Sequence, residues 1–236
     1  MSIITATFNL AYEPFGFGLY KDADIITECY QRSSRKFSET LVDRLKEECA
    51  VNNISYDSLS AVGLIKGPGS YTGLRISVSV AKTIAYALNI PVFSCTALQA
   101  ISLQATVANK TYITVVPSKR GFVYVQLFNC GSGLGVEDVT EPICITIEQF
   151  LHLISAFKAP MNIVGILDEE TKKSVEEIKD IYFFESYILC KTLHTYIVDC
   201  LKRNVKSEFN HIKPFYFHEP NIGIIKKKNS KFKSSY

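Results

Sequence analysis

Apolar and polar positions change their spacing several times along this chain, and each change marks a new element. Ile3–Leu10, Phe15–Tyr20 and Ile25–Tyr30 are short apolar-rich runs, punctuated by Glu13-Pro14 and by the Lys21–Asp24 segment. Such a succession predicts three strands in an antiparallel meander. From Ser34 to Ala50 the period lengthens: Phe37, Leu41, Leu45 and Cys49 recur every fourth residue, one stripe of a helix that Asn52-Asn53 ends. Ala61–Lys66 is a compact buried strand. The helix Tyr71–Leu88 follows with two stripes, Leu74, Val78, Ala81, Ala85 and Leu88 on one and Ile76, Val80, Ile84 and Ala87 on the other. Only Arg75, Ser79, Lys82, Tyr86 and Asn89 form a polar line. A helix apolar on most sides is buried on most sides, so one side meets the sheet and the other needs a further element or another subunit.

Pro91–Ser94 then reads as a short strand and Thr96–Ala108 as a helix. A second α/β set follows, with strands at Tyr112–Val116 and Gly121–Phe128, the latter strictly alternating, and a glycine-rich turn at Cys130–Gly135. Ile147–Phe157 and Glu169–Ile178 read as helices, Ile163–Ile166 and Tyr182–Phe184 as strands, and Ser186–Lys202 as a last helix. The resulting organisation is an α/β lobe over residues 1–108, a smaller α/β lobe over 109–205 and a C-terminal segment over 206–236.

The densest chemistry lies in Gly67-Pro68-Gly69-Ser70-Tyr71-Thr72-Gly73-Leu74-Arg75, a turn that feeds a helix. Bare backbone N–H groups and the positive end of the helix dipole meet there, so the place suits an anion, or the close approach of another backbone. The standard phosphate loops do not fit. A Walker A loop needs lysine where Leu74 stands, and a dinucleotide fingerprint misses its glycine spacing by one residue. It also wants an acid roughly 20 residues on, yet no Asp or Glu occurs from Ser58 to Val136. Ser70 reads as the helix cap and not as a nucleophile, since a hydrolase elbow is Gly-x-Ser-x-Gly. Arg75, one turn into the helix, either faces a nucleotide or partner carboxylate or ends the polar stripe at the surface. His152, His194, His211 and His218 lack the spacing of a zinc site.

The run Gly67–Ile76 closely resembles the signature of the TsaB/YeaZ family, the dimerisation subunits of the bacterial complex that makes threonylcarbamoyl-adenosine in tRNA. Fainter likenesses surround it. Asn9-Leu-Ala-Tyr-Glu13 is similar to the end of the family's first strand and Phe37-Ser38-Glu39 to its first helix start. Pro91–Leu98 and Pro117–Tyr124 resemble two further family segments. Asn9 stands where the family has an acid, Phe37 where it has a histidine, Pro117 an aspartate and Phe122 a glutamate. Pro214-Phe-Tyr216-Phe-His218 loosely resembles the family's Pro-x-Tyr-Leu-Arg. The resemblance implies a ribonuclease-H-like fold of the actin and sugar-kinase superfamily, with two lobes, the second reduced. It implies a non-catalytic subunit that binds and activates a TsaD-like transferase, works beside a TsaE-like ATPase, homodimerises when alone and meets tRNA only through the complex. No catalytic residue and no metal are expected. No cofactor is expected on this chain alone; ATP or ADP would sit at the complex interface, with Gly67, Gly69, Ser70 and Arg75 as the contacts. The expected partner surface is the helix pair, through Leu41, Leu45, Leu74, Val78, Ala81 and Ala85, so Ala81→Glu or Val78→Glu should block association. The alternative from another class is a nucleotide-dependent phosphotransferase of the sugar-kinase type, which would need the strand-end acid that Asn9 replaces.

Composition narrows the setting. A chain of 236 residues that is 47% hydrophobic can build a substantial core. Seven scattered cysteines without a C-x-x-C pair read as reduced, buried thiols of a cytosolic protein. Met1–Tyr12 reads as a first core strand and not a secretory leader. No uncharged apolar run reaches the ~20 residues of a membrane span, so a soluble, cytoplasmic protein is expected. The net charge of +3 is lodged in the tail: without the five lysines 226, 227, 228, 231 and 233 it would be −2. That tail reads as a solvated end with a weak affinity for polyanions. Deleting Lys226–Tyr236 is expected to leave the melting temperature within about 5 °C of the full chain, roughly 1–2 kcal/mol at this size; a larger drop in a thermal melt would show the tail docked on the fold.

Overall fold

The computed structural model describes residues 2–32, 34–104, 111–130 and 136–217, with the backbone alone at 34–39, 130 and 136. The lysine tail, His218 and the side chains of Phe37-Ser38-Glu39 lie outside the described residues. The first sheet has the order β3-β2-β1-β4-β5, built from β1 (Ile4–Asn9), β2 (Phe15–Lys21), β3 (Asp24–Gln31), β4 (Ala61–Gly67) and β5 (Val92–Thr96). The meander β1–β2–β3 is antiparallel as expected, while β4 and β5 join β1 in parallel, with Thr5 opposite Ala61 and Val62 opposite Val92.

Helices α1 (Ser34–Val51) and α2 (Tyr71–Leu88) cover one face of this sheet. Ala6 and Phe8 of β1, Leu10 just beyond it, and Val62 and Leu64 of β4 point into that layer, where Leu41, Leu45, Val78, Ala81 and Ala85 pack with them. The period of two in the strands and of about four in the helices thus meet in one core. Asn89 ends α2 in the left-handed conformation at φ 52°, a backbone that asparagine tolerates better than most residues.

The second sheet has six strands: β11-β10-β6-β7-β8 in order, with β9 also on β7. They are β6 (Thr111–Pro117), β7 (Phe122–Cys130), β8 (Val136–Asp138), β9 (Ile143–Thr146), β10 (Met161–Gly165) and β11 (Ile181–Glu185). Its helices α4 (Ile147–Ser155) and α5 (Glu169–Glu176) are short, nine and eight residues against eighteen in α1 and α2. Strands β8 and β9 had no counterpart in the sequence reading; at three and four residues they are too short for their alternation to register. Helix α3 (Ala97–Ser102) is shorter than the expected Thr96–Ala108, whose last part falls at 105–108, outside the described residues.

The last helix, α6 (Cys190–Lys202), starts later than expected because the chain before it is still extended. Ser186 N–H donates to Gly165 O at 2.9 Å, continuing the β10–β11 ladder. The division at 109–205 grouped α6 with the second lobe. In the structure it packs instead on the first sheet, against β1, β2, β4 and β5, on the face opposite α1 and α2. Gly63 leaves the room: a Cβ there would lie 2.2 Å from Ile197 Cδ1.

Three buried polar side chains of β1 point at this returning segment. Thr5 Oγ1 lies 2.8 Å from His194 Nδ1, Thr7 Oγ1 donates to Cys190 O at 3.3 Å, and Asn9 Nδ2 donates to Ile188 O at 3.1 Å. His194 Nε2 lies 2.7 Å from Asp22 O and must carry the proton, so Nδ1 accepts from Thr5. The ring stacks on Tyr20, 4.6 Å between centroids. Burial holds the His194 pKa below its ordinary value, outweighing the hydrogen bond to the Asp22 carbonyl, which pulls it up; Lys191 adds a lesser push downward. Neutral His194 is therefore the folded form. An unfolded histidine takes its proton near pH ~6.5. As pH falls below that value the unfolded state gains a proton that the folded state resists, so stability is full above it and declines below it. Chemical denaturation between pH 7.5 and about 5 should show this loss, and His194→Gln should flatten the slope.

Candidate functional site

The glycine turn between β4 and α2 sits where the two sheets meet. Residues of both, among them Ala11, Ile65, Leu74, Val116, Phe128 and Val164, share one apolar cluster. Tyr12 Oη donates to Pro117 O at 2.7 Å across this junction, and burial pushes the Tyr12 phenol well above its ordinary pKa. The junction is therefore packed and cross-linked, with a neutral hydroxyl as the tie.

Of the two readings of the glycine turn, the structure favours the close approach of a backbone over an anion cradle. Gly67 and Gly69 have φ of 130° and 150°, a region that side chains rarely tolerate. A Cβ on Gly69 would lie 2.6 Å from Ala11 O, and one on Gly73 would lie 1.9 Å from Leu10 O. Both oxygens belong to the chain that leaves β1. Ser70 N–H donates to Ala11 O at 2.9 Å, and Gly73 N–H donates to the Ser70 hydroxyl at 3.3 Å, which makes Ser70 the helix cap as expected. On the other side Phe215 N–H donates to Lys66 O at 2.7 Å. Two of the backbone N–H groups at this helix start, those of Ser70 and Gly73, are thus engaged within the chain.

Asn9, where the resembled family has an acid, is wholly buried. Its Nδ2 faces three carbonyl oxygens, those of Tyr12, Pro14 and Ile188, each at 3.1 Å. Its Oδ1 accepts from Ala11 N–H at 3.1 Å and Tyr12 N–H at 3.4 Å. A carboxylate could do only the second half of this work. Among the described residues no three His, Cys, Asp or Glu side chains gather as a metal site would require.

Arg75 projects outward from α2. Its guanidinium donates to Tyr71 Oη at 3.2 Å and lies 5.5 Å from that ring's centroid. Tyr71 in turn packs against Tyr216, 5.0 Å between centroids, and beyond it Phe215, Phe217 and Tyr124 form a run of stacked and edge-on rings. This aromatic rim had no signal in the sequence, because its members come from α2, β7 and the C-terminal segment. Pro117 and Phe122, which stand where the family has acids, lie at the ends of β6 and β7; Lys119 Nζ sits 4.6 Å from the Phe122 ring.

The six expected interface residues are not at a surface. Leu41, Leu45, Leu74 and Ala81 are wholly buried, and Ala85 and Val78 are 2% and 7% exposed. Five of them fill the core beneath α1 and α2, and Leu74 packs at the sheet junction. Periodicity found residues that share a face, and the face is the one turned to the sheet. Ala81→Glu or Val78→Glu would therefore break the fold before reporting on any partner. The outward line of α2 is Thr72, Arg75, Ser79, Thr83, Tyr86 and Ala87, flanked by half-buried Ile76 and Val80.

The histidines stand apart, His152 on α4, His194 on α6 and His211 in the C-terminal segment. Cys49, Cys95, Cys190 and Cys200 are buried as expected, but Cys29 and Cys144 are only half-buried. Burial pushes the Cys95 and Cys190 thiols up to about 12, which keeps them neutral. Cys29 Sγ accepts from the Arg44 guanidinium at 3.1 Å.

With this geometry in place, comparison with known proteins gives a consistent answer. The family model described as "TsaD: tRNA N6-adenosine threonylcarbamoyltransferase" matches residues 31–185. The chain is 25% identical over 181 residues to the tRNA threonylcarbamoyladenosine biosynthesis protein TsaB of Bacillus subtilis, covering 75% of each. Relatives of the same name from Buchnera aphidicola are matched over about half to three fifths of their own length. Two solved structures share the fold. A Pseudomonas aeruginosa protein described by its similarity to the peptidase YeaZ superposes with a TM-score of 0.73 at 15% identity, over 92% of this chain and all of that one. YeaZ of the same organism gives 0.71 at 15% identity, over 91% of this chain and 99% of that one. The architecture is thus the two-lobed α/β fold expected from the resemblance.

Asn9→Asp should destabilise the protein by about 2–4 kcal/mol, since a buried carboxylate would confront three carbonyl oxygens and lose every donor. Urea denaturation at neutral pH measures it; an unchanged midpoint would mean that Asn9 does not clasp the strand end.

Proposed function

The chain belongs to the TsaD family, in its TsaB/YeaZ branch, and on that premise we propose that it serves tRNA threonylcarbamoyladenosine biosynthesis as a non-catalytic subunit that binds and activates a TsaD-like transferase. The observation that carries the non-catalytic reading is the Asn9 clasp. The position from which an acid would hold a metal is occupied by an amide whose donors and acceptors are all engaged inside the protein. The closed glycine turn supports it further. At this end of the molecule α2 turns a polar and half-apolar face outward.

That surface is the partner site in this reading. Small residues Ser79, Thr83 and Ala87 on the outside of α2 let a neighbouring helix come close, while Val80 and Tyr86 supply apolar area and Arg75 a cation. The same surface would join two copies when no partner is present. ATP or ADP, where the complex uses it, lies between subunits, with Arg75 as this chain's contribution. A TsaE-like ATPase is the third component, and tRNA is met through the assembled complex.

The test is the double variant Ser79→Glu, Thr83→Glu, in which both positions are exposed and the fold is spared. Mixed with the TsaD-like protein of the same genome, it should bind at least tenfold more weakly than the unaltered chain by calorimetry. It should also lower threonylcarbamoyl-adenosine formation on tRNA in proportion. Unchanged affinity would place the interface elsewhere. Steady ATP turnover by the isolated chain, abolished by Asn9→Ala, would overturn the non-catalytic reading.

A further inference from the structure

Acids and cations are sorted in space in this chain. No Asp or Glu occurs from Ser58 to Val136, and none from Phe209 to Phe217. The fold brings these two acid-free stretches together beside the glycine turn. Phe215 N–H reaches Lys66 O, Tyr216 packs on Tyr71, and Phe217 stacks on Tyr124. Arg75, Lys119, Arg120 and Lys213 are exposed there, and among the described residues none of the four makes an ion pair. Two carboxylates come near from other stretches. Glu208 is held by Lys66 at 3.6 Å and by the Ser94 hydroxyl, and Glu13 stands exposed next to Tyr12.

The same end carries the aromatic rim. Phe122 and Tyr124 share a face of β7, so the row that starts at Tyr71 runs through Tyr216, Phe215 and Phe217 to Tyr124 and Phe122. A cation stands at each end of it: the Arg75 guanidinium 5.5 Å from the Tyr71 centroid, and Lys119 Nζ 4.6 Å from that of Phe122. Tyr71 is 40% exposed and the other five are half-buried, so water still reaches every ring. Rings that served only to fill the junction would be covered, as Phe128 is.

We propose that this rim is a contact for unpaired RNA, made by this chain itself. Two requirements select that partner, and they have to be met together. Exposed cations without acids among them call for a polyanion. A row of accessible rings calls for flat groups that lie on them. Single-stranded nucleic acid supplies both along one backbone, phosphates for the cations and bases for the rings. A duplex offers the same phosphates, but its bases are already stacked inside and leave the rings unused. An acidic peptide satisfies the cations alone. If the chain serves tRNA modification, as read above, the RNA is a loop or an end of a tRNA. The assembled complex would then meet its substrate partly through this chain, at a surface that α2 shares only at its first turn.

Fluorescence anisotropy tests this with the full chain and a labelled, unstructured RNA of A and C, about 16 nucleotides long, set beside a blunt RNA duplex of the same length. The single strand should bind at least about fivefold more tightly, although the duplex carries twice the phosphates. The tail lysines attract any polyanion, so each variant is made in the full chain and read by salt dependence as well as affinity. Lys119→Gln with Arg120→Gln should weaken binding at least about threefold and flatten its dependence on salt. Phe217→Leu with Tyr124→Leu should weaken it at least about fivefold and leave that dependence unchanged. A thermal melt checks the fold, and Phe217→Leu alone, on which no strand depends, should still cost about twofold. No binding of the single strand overturns the proposal. So do equal affinities for strand and duplex, ring variants that bind like the unaltered chain, or an oligoglutamate peptide that displaces the label as well as unlabelled RNA does. Calorimetry of the ring variants with the transferase separates this surface from the helix surface. Lost RNA binding with unaltered transferase affinity is expected; the reverse pattern assigns the rim to the transferase and overturns the RNA contact.

Discussion

Everything in the first sheet depends on a row of buried polar side chains that one strand cannot satisfy alone. Alternation in β1 sends Ile4, Ala6 and Phe8 to one face and Thr5, Thr7 and Asn9 to the other. An antiparallel sheet can leave such a polar face in water. Here both faces are dry, and an unpaired buried polar group costs about 1–3 kcal/mol. The partners come from the far end of the chain, at Ile188, Cys190 and His194. The return of α6 to the first sheet is thus required by the composition of the first strand, and Gly63 on β4 admits it.

The glycine turn follows from the same crowding. Leu10 and Ala11 leave β1 directly beneath the start of α2, and the backbones meet at distances that a Cβ would forbid. A motif whose form suggests an anion site is used here to bring a helix start, a strand exit and the C-terminal segment together at the sheet junction. The neighbouring Asn9 completes the arrangement by holding the strand exit from beneath. At this end of the molecule the glycine turn is packed against the chain's own backbone, and the strand end carries an amide.

Most of the fold was legible because it rests on local periodicity. The meander, both long helices, the buried β4 and the alternating β7 all announce themselves by spacing. The candidate site was legible only in part. Ser70 could be read as a cap from its place before the helix, and the two stripes of α2 could be read as burial. What periodicity does not encode is which neighbour covers a stripe. Leu41, Leu45, Val78 and Ala81 therefore belonged equally well to a partner surface until the sheet was seen above them. Asn9 carried a substitution without its purpose, since the three carbonyl oxygens that it serves are brought together only by the finished fold. The start of α6 was misplaced for a related reason, because tertiary pairing keeps residues extended that local propensity would put in the helix.

The tie between β1 and α6 also sets an order of events during synthesis. The first strand leaves the ribosome early, at a pace of ~5–20 residues per second, and its apolar face can be covered once α2 has followed. Its polar face cannot be, because Ile188, Cys190 and His194 are made nearly two hundred residues later. Until then Thr5, Thr7 and Asn9 must stay hydrated, and the first lobe must remain open on one side. The lobe that is translated first is therefore the one that closes last, and a nascent chain stalled before α6 would present a half-built sheet to the cell's quality control.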